Sequence, residues 1–220
     1  MLQAKKKSRN HLLVAIMELA AQVVSKLLHI LCDCLNKHKD SKLGLIKIDF
    51  RNAFNMVKRS HFVKAACEMF PAMTSWTEWC YGEASMLLYD HEHIIESCAG
   101  VQQGDPLGPL YFCCGIMALV NDIQALNPTY NKWYMDDGGI IGDVELLKKV
   151  WELLQTRGPE LGLHLNPSKC EWSWLDPECK DACPIRLDGE SEENQVKLIP
   201  HEQILMLGVP LGDDAFLSGL

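Results

Sequence analysis

Trp133-Tyr134-Met135-Asp136-Asp137-Gly138-Gly139-Ile140-Ile141-Gly142 reads as two short apolar strands joined by a Gly-containing turn at Asp136-Asp137-Gly138, a pattern that suits a β-hairpin. The only comparable site lies upstream, where Asp49 closes the apolar run Leu45-Ile46-Lys47-Ile48-Asp49-Phe50. A sheet that brings these two places together would gather Asp49, Asp136 and Asp137 at one edge. Adjacent residues on extended backbone point in different directions, so one member of the Asp136-Asp137 pair would face Asp49 and the other would assist more weakly.

Outward from these strands, apolar residues recur at helical spacing over Leu12 to Leu35 and again over Asn52 to Phe70, which Pro71 closes. Residues 74 to 89 read as helical, His91 to Ala99 as a strand, and Leu107 to Leu126 as a helix ended by Asn127-Pro128. Asp143 is a candidate N-cap for a helix over Val144 to Thr156, with Gly158-Pro159 just beyond its end. Leu161 to Leu165 reads as a strand, and Ile204 to Leu211 as a final strand pair. This mixture predicts an α+β fold.

The chain has 220 residues, 48% of them hydrophobic, enough for one domain, or one domain and an appendage, with a real core. No apolar stretch approaches the roughly 20 residues of a membrane span, and Met1 is not followed by a signal-peptide pattern. An intracellular protein of the nucleus or cytoplasm is expected, with no membrane association. The ten cysteines lie within apolar segments such as Phe112-Cys113-Cys114 and read as buried free thiols. Cys179-x3-Cys183 is not a zinc spacing, and His91-x-His93 and Cys32-x-Cys34 read as alternate residues sharing a face. The net charge of −8 opposes a self-sufficient nucleic-acid binder. Residues 171 to 193 alone carry eight acids against Lys180 and Arg186, a net of −6, so the remainder contributes −2.

Three blocks then change the weight of the acidic pairs. Ile48-Asp49-Phe50-Arg51-Asn52-Ala53-Phe54-Asn55, Gly100-Val101-Gln102-Gln103-Gly104-Asp105-Pro106-Leu107-Gly108-Pro109-Leu110 and Tyr134-Met135-Asp136-Asp137 resemble, in order and spacing, the reverse transcriptase palm. They look most like the non-long-terminal-repeat retrotransposons. Gly162 to Glu171 is similar to the block after the catalytic hairpin, and Leu207-Gly208-Val209-Pro210 looks like a primer-grip element. Gly108 stands where many relatives carry serine, a variation also found in retroelement relatives.

The resemblance implies a polymerase palm, an antiparallel sheet packed on helices, with incomplete fingers and no thumb. Its expected division is 1–42 as a helical remnant of fingers, 43–172 as the palm, 173–200 as an acidic insert or loop, and 201–220 as a primer-grip-like end. It implies an RNA-directed DNA polymerase that adds deoxynucleoside triphosphates to a DNA primer on an RNA template, with two magnesium ions. Asp49, Asp136 and Asp137 would hold the ions, with the Phe50 carbonyl a further ligand. Phe54 matches the aromatic position under the incoming sugar, where a ring would collide with a 2′-hydroxyl. Gln103 and Gly104 match the loop supporting template base and nascent pair, Tyr134 opens the hairpin box, and Lys169 matches the lysine that protonates or neutralises pyrophosphate. Asn52 and Asn55 are expected either to contact substrate or, for Asn52, to cap a helix. The alternatives are an inert retroelement fragment and a host polymerase of related fold such as a telomerase-like enzyme.

Overall fold

The computed structural model describes residues 21–89, 93–102 and 104–211. Within them the chain divides into two compact units, one of Leu43–Ser173 with Lys180–Leu198, the other of residues 21–42, Trp174–Cys179 and residues 199–211.

The larger unit is built on a sheet of strand order β4-β5-β1-β6-β7, where β1 is Gly44–Ile48, β4 Tyr130–Tyr134, β5 Asp137–Gly142, β6 Glu171–Trp174 and β7 Lys197–Leu198. β-Branched residues on both faces suit its centre, where Ile46, Ile48, Ile140 and Ile141 are completely buried. β5 pairs antiparallel with both β1 and β4, as expected, whereas β6 and β7 pair in parallel, Glu171 with Lys197 and Trp172 with Leu198. Helices α2 (Ala53–Met56), α3 (Arg59–Met69), α4 (Thr74–Tyr81), α5 (Gly108–Ala125) and α6 (Val144–Glu160) complete it, with the hairpin β2 (Ser85–Tyr89) and β3 (His93–Ser97). Leu147, Val150, Trp151 and Leu154 form the buried stripe of α6 at the spacing of one helix face. Gly115 allows α5 to approach Val57 and Phe62, since a Cβ there would lie 3.0 Å from Val57 Cγ2 and 3.2 Å from Phe62 Cβ.

Four expectations are corrected. The helix expected over Asn52 to Phe70 is two helices, because the intervening Val57 carbonyl accepts from Gly100 N–H and Lys58 N–H donates to the Leu161 carbonyl, both at 2.8 Å. Residues 74 to 89 are helical only through Tyr81, since Ser85–Tyr89 pairs with His93–Ser97. Met86-Leu87-Leu88 is an apolar run whose periodicity cannot separate strand from helix. The α6 helix continues past Thr156 through Pro159 to Glu160. Proline normally disfavours helix at the residue before it, but Gly158 has no Cβ to clash. Leu161 to Leu165 forms no strand, only the isolated antiparallel bridge Phe50 to Leu165.

Asp143 caps α6 as expected, accepting from Leu146 N–H at 2.9 Å. In the smaller unit, residues 21–38 form helix α1, which buries Leu28, Leu31, Cys32 and Leu35. The rest of the expected Leu12 to Leu35 helix, like His91 and the basic start, lies outside the described residues. Strands β8 (Leu205–Met206) and β9 (Val209–Pro210) form a hairpin whose loop residues Leu207 and Gly208 both have positive φ, 52° and 80°, the requirement of a type I′ turn. The ten cysteines are free as expected, but only Cys32, Cys114 and Cys170 are buried as expected; Cys98 is exposed and the other six are partly exposed. Among the described residues, no helix is long and apolar enough to cross a membrane.

Candidate active site

The β1–β5 register places the acidic pair. Ile48 faces Gly138, so the next residue of each strand, Asp49 and Asp137, are carried opposite one another at the sheet edge. Tyr134 pairs with Asp137 on the other side, which leaves Met135-Asp136 as a two-residue loop. The expected turn at Asp136-Asp137-Gly138 therefore sits too far along, and Gly138 belongs to the strand. The β4–β5 register sets this, pairing Gly138 with Trp133, whose ring occupies the space a side chain at 138 would need: a Cβ there would stand 2.5 Å from Cζ3. Met135 carries the positive φ of 55° that such a tight loop demands.

Alternation along the strands puts Lys47, Asp49, Asp137 and Tyr134 on one face, with Ile46, Ile48, Phe50 and Trp133 on the other. Phe50 is buried and stacks on Trp133 at a centroid distance of 6.1 Å. The bridge beside it runs from Arg51 N–H to the His164 carbonyl and from Asn166 N–H to the Asp49 carbonyl, and neither bond uses the Phe50 carbonyl.

Burial first, with Asp49 adding to it, raises the Asp136 carboxyl above its ordinary range against its own backbone hydrogen bond. Asp137 is raised by burial, then by Asp136 and Asp49, while Lys47 pulls it back. The three carboxylates thus feel one another. Among the described residues, however, no three His, Cys, Asp or Glu side chains are drawn close enough to make a metal cage. Hard carboxylate oxygens suit a divalent cation such as magnesium, whose charge would offset the mutual repulsion that helps to raise Asp136 and Asp137.

Sequence reasoning passed over two neighbours of Asp49. Lys47 lies two residues upstream and bridges to Glu171 at 3.3 Å; a charge inside an otherwise apolar strand was its signal. Cys170 is fully buried, its thiol accepting from Asp49 N–H at 3.4 Å and donating to the Asp49 carbonyl at 3.6 Å. Burial pushes that thiol up to about 12. Cys170 directly follows the turn Pro167–Lys169, so the same contact brings the Lys169 backbone beside Asp49.

Asn52 adopts a left-handed conformation, φ 49°, at the start of α2. Its carbonyl accepts from Asn55 and Met56 N–H, and its side-chain oxygen accepts from Asn55 Nδ2 at 2.5 Å. Phe54 is half-buried and stacks face to face on Phe112, centroids 4.4 Å apart and planes within 6°. Its carbonyl holds Val101 N–H at 2.8 Å, which ties α2 to the glycine-marked loop. In that loop Gly104 has φ 88° and open space at its Cβ position; Gln103 lies outside the described residues.

The comparisons agree with this architecture. The family described as reverse transcriptase (RNA-dependent DNA polymerase) matches residues 4–211. The retrotransposable element SLACS 132 kDa protein of Trypanosoma brucei gambiense is 30% identical over 149 residues, 62% of this chain and 12% of that protein. The chain therefore spans a small part of this curated relative. Among solved structures, apo telomerase from Candida tropicalis truncated from its C-terminal domain superposes with a TM-score of 0.51 and 17% identity, covering 68% of this chain and 34% of that one. Telomerase from Candida albicans, in complex with a fragment of telomeric RNA, gives 0.53 and 16%, covering 68% and 29%. At these identities the likeness concerns the fold, a polymerase palm. The resemblance read from the three sequence blocks is borne out, and the chain belongs to the reverse transcriptase family.

Proposed function

We propose that this chain supplies the palm of a retrotransposon RNA-directed DNA polymerase. The observation that carries the reading is the β1–β5 register, which sets Asp49 opposite Asp137 next to a tight loop bearing Asp136. Asp49, Asp136 and Asp137, with the Phe50 carbonyl, would hold two magnesium ions; these would stabilise the attacking 3′-oxygen and the leaving pyrophosphate in phosphoryl transfer. Bound cations would favour the charged forms of Asp136 and Asp137, which burial and one another disfavour, and Lys47 already does so in part at Asp137.

The remaining residues take positions around that centre. Phe54, backed by Phe112, presents a fixed ring under the incoming sugar and rejects a 2′-hydroxyl by collision. Gln103 and Gly104 support the template base and the nascent pair, glycine because its backbone can approach closely. Tyr134 flanks the acidic hairpin, Lys169 delivers a proton or positive charge to pyrophosphate, and Asn52 and Asn55, joined by their own hydrogen bond, contact substrate as a pair. Residues 43–172 form the catalytic core in this reading, residues 1–42 belong with fingers, and the end from 201 acts on the primer.

Primer extension on an RNA template with deoxynucleotides and magnesium tests it, comparing the chain with its Asp136→Asn, Asp137→Asn double variant. Extension abolished in the double variant supports the polymerase. A folded chain that neither extends nor binds primer-template supports the inert-fragment alternative.

A further inference from the structure

Among the described residues of the loop before α5, 100–102 and 104–107, none lies in a helix or strand, yet the backbone is held on both sides of position 103. Gln102 N–H donates to the Tyr81 hydroxyl at 3.1 Å, and that hydroxyl donates to Asp105 Oδ2 at 2.5 Å. One oxygen therefore joins the two residues that flank Gln103-Gly104. Asp105 N–H donates to the Gln102 carbonyl at 3.1 Å, closing the turn, and the other Asp105 oxygen accepts from Leu107 N–H at 2.9 Å. Gln102 Nε2 reaches Ser85 Oγ at 2.9 Å.

Tyr81 is itself fixed. It packs edge-on against Phe62 and Tyr111 at 5.1 Å each, and Tyr111 hydrogen-bonds Thr77 at 3.1 Å. Arg59 lies over the Tyr81 ring at 5.5 Å. Its guanidinium is buried and donates to the Gly100 carbonyl at 3.1 Å, the Ser97 carbonyl at 2.6 Å, Ser97 Oγ at 3.0 Å and the Glu83 carbonyl at 3.4 Å. A planar fork with five donors is the side chain suited to collecting several carbonyls at once. Burial, then the bond to Asp105, hold the Tyr81 phenol well above its usual range, so it remains a donor at any working pH.

We infer that Arg59 and Tyr81 are positioning residues, a two-point clamp that sets the backbone on either side of Gln103-Gly104 and thereby sets affinity for, and selection of, the incoming nucleotide. Arg59 fixes where the chain leaves β3, and Tyr81 with Asp105 fixes the turn itself. The inference rests on the polymerase reading above, and its test separates the two.

Tyr81→Phe removes one oxygen and keeps the ring packing. Amide hydrogen exchange at Gln102 and Asp105 is expected to rise about five- to ten-fold, the worth of one hydrogen bond, with β1 amides unchanged. In primer extension the same variant raises the KM for deoxynucleotide and the misincorporation frequency, while kcat changes less. Asp105→Asn, which keeps one acceptor oxygen and so one of the two bonds from Tyr81 and Leu107 N–H, is milder than Asp105→Ala, which keeps neither. Unchanged exchange in Tyr81→Phe overturns the clamp. Raised exchange with wild-type KM, while Gln103→Ala raises KM, overturns its role in positioning but leaves the loop's role standing. If Gln103→Ala too leaves KM and fidelity untouched, or the unaltered chain extends nothing, the reading of the loop fails and the inference with it.

Discussion

Gly138→Ala measures how tightly the hairpin is built. An alanine Cβ would stand 2.5 Å from Trp133 Cζ3 and 2.6 Å from both Cε3 and Cη2, whereas carbon atoms rest at roughly 3.5–4.0 Å. The indole must move by about 1 Å. It is not free to do so: one face stacks on Phe50 and its Nε1 donates to Asn131 Oδ1 at 2.8 Å. Overpacking of this kind costs about 1–3 kcal/mol, and weakening the indole hydrogen bond adds about 1 kcal/mol, so a loss of roughly 2–4 kcal/mol is expected. For a chain of this size that lowers Tm by roughly 4–16 °C. Urea unfolding followed by circular dichroism, run as a double-mutant cycle with Trp133→Leu, provides the assay. The smaller side chain should restore much of the loss, with a coupling of about 1 kcal/mol or more. A Gly138→Ala protein within about 0.5 kcal/mol of wild type, or a cycle without coupling, would show that the clash with Trp133 does not govern this position.

Magnesium at ten times its dissociation constant should stabilise the folded chain by about 1.4 kcal/mol, an effect absent from the Asp136→Asn, Asp137→Asn variant in differential scanning fluorimetry. Without magnesium the sign reverses: raised carboxyls mean that the folded state holds more protons than the unfolded above the ordinary value of 3.8, so stability falls as pH rises through that window. The double variant should then be the more stable protein at pH 7 by urea midpoint. Phe54→Val should let ribonucleotides compete, narrowing the deoxy-to-ribo ratio of kcat/KM by about ten-fold or more, the reach of a side-chain truncation in a shaped pocket; an unchanged ratio would remove Phe54 from the sugar site. Cys170, buried and pushed up to about 12, should resist iodoacetamide at pH 8 while the exposed Cys98 reacts, and mass spectrometry should find Cys170 labelled only in urea.

The sequence by itself was sufficient for the family. An Asp at the end of each of two apolar strands, a glycine-marked loop and their order along the chain are local patterns, and the helices α5 and α6 announce themselves by apolar periodicity and, for α6, by the Asp143 cap. What it could not supply were the places where backbone groups bond to distant partners. Val57 and Lys58 break a helix because Gly100 and Leu161 claim them; Leu161 to Leu165 loses its strand because only Leu165 meets Phe50; the turn shifts to Met135-Asp136 because Tyr134 pairs with Asp137. The thiol of Cys170 under Asp49 and the Arg59–Tyr81–Asp105 clamp belong to the same class. Hydrophobic period and turn chemistry act within a few residues, so they are written in the chain. Hydrogen bonds and ring contacts between residues tens of positions apart exist only once the sheet has closed, and those contacts, rather than the motifs, decide how the acidic edge and its loop are held.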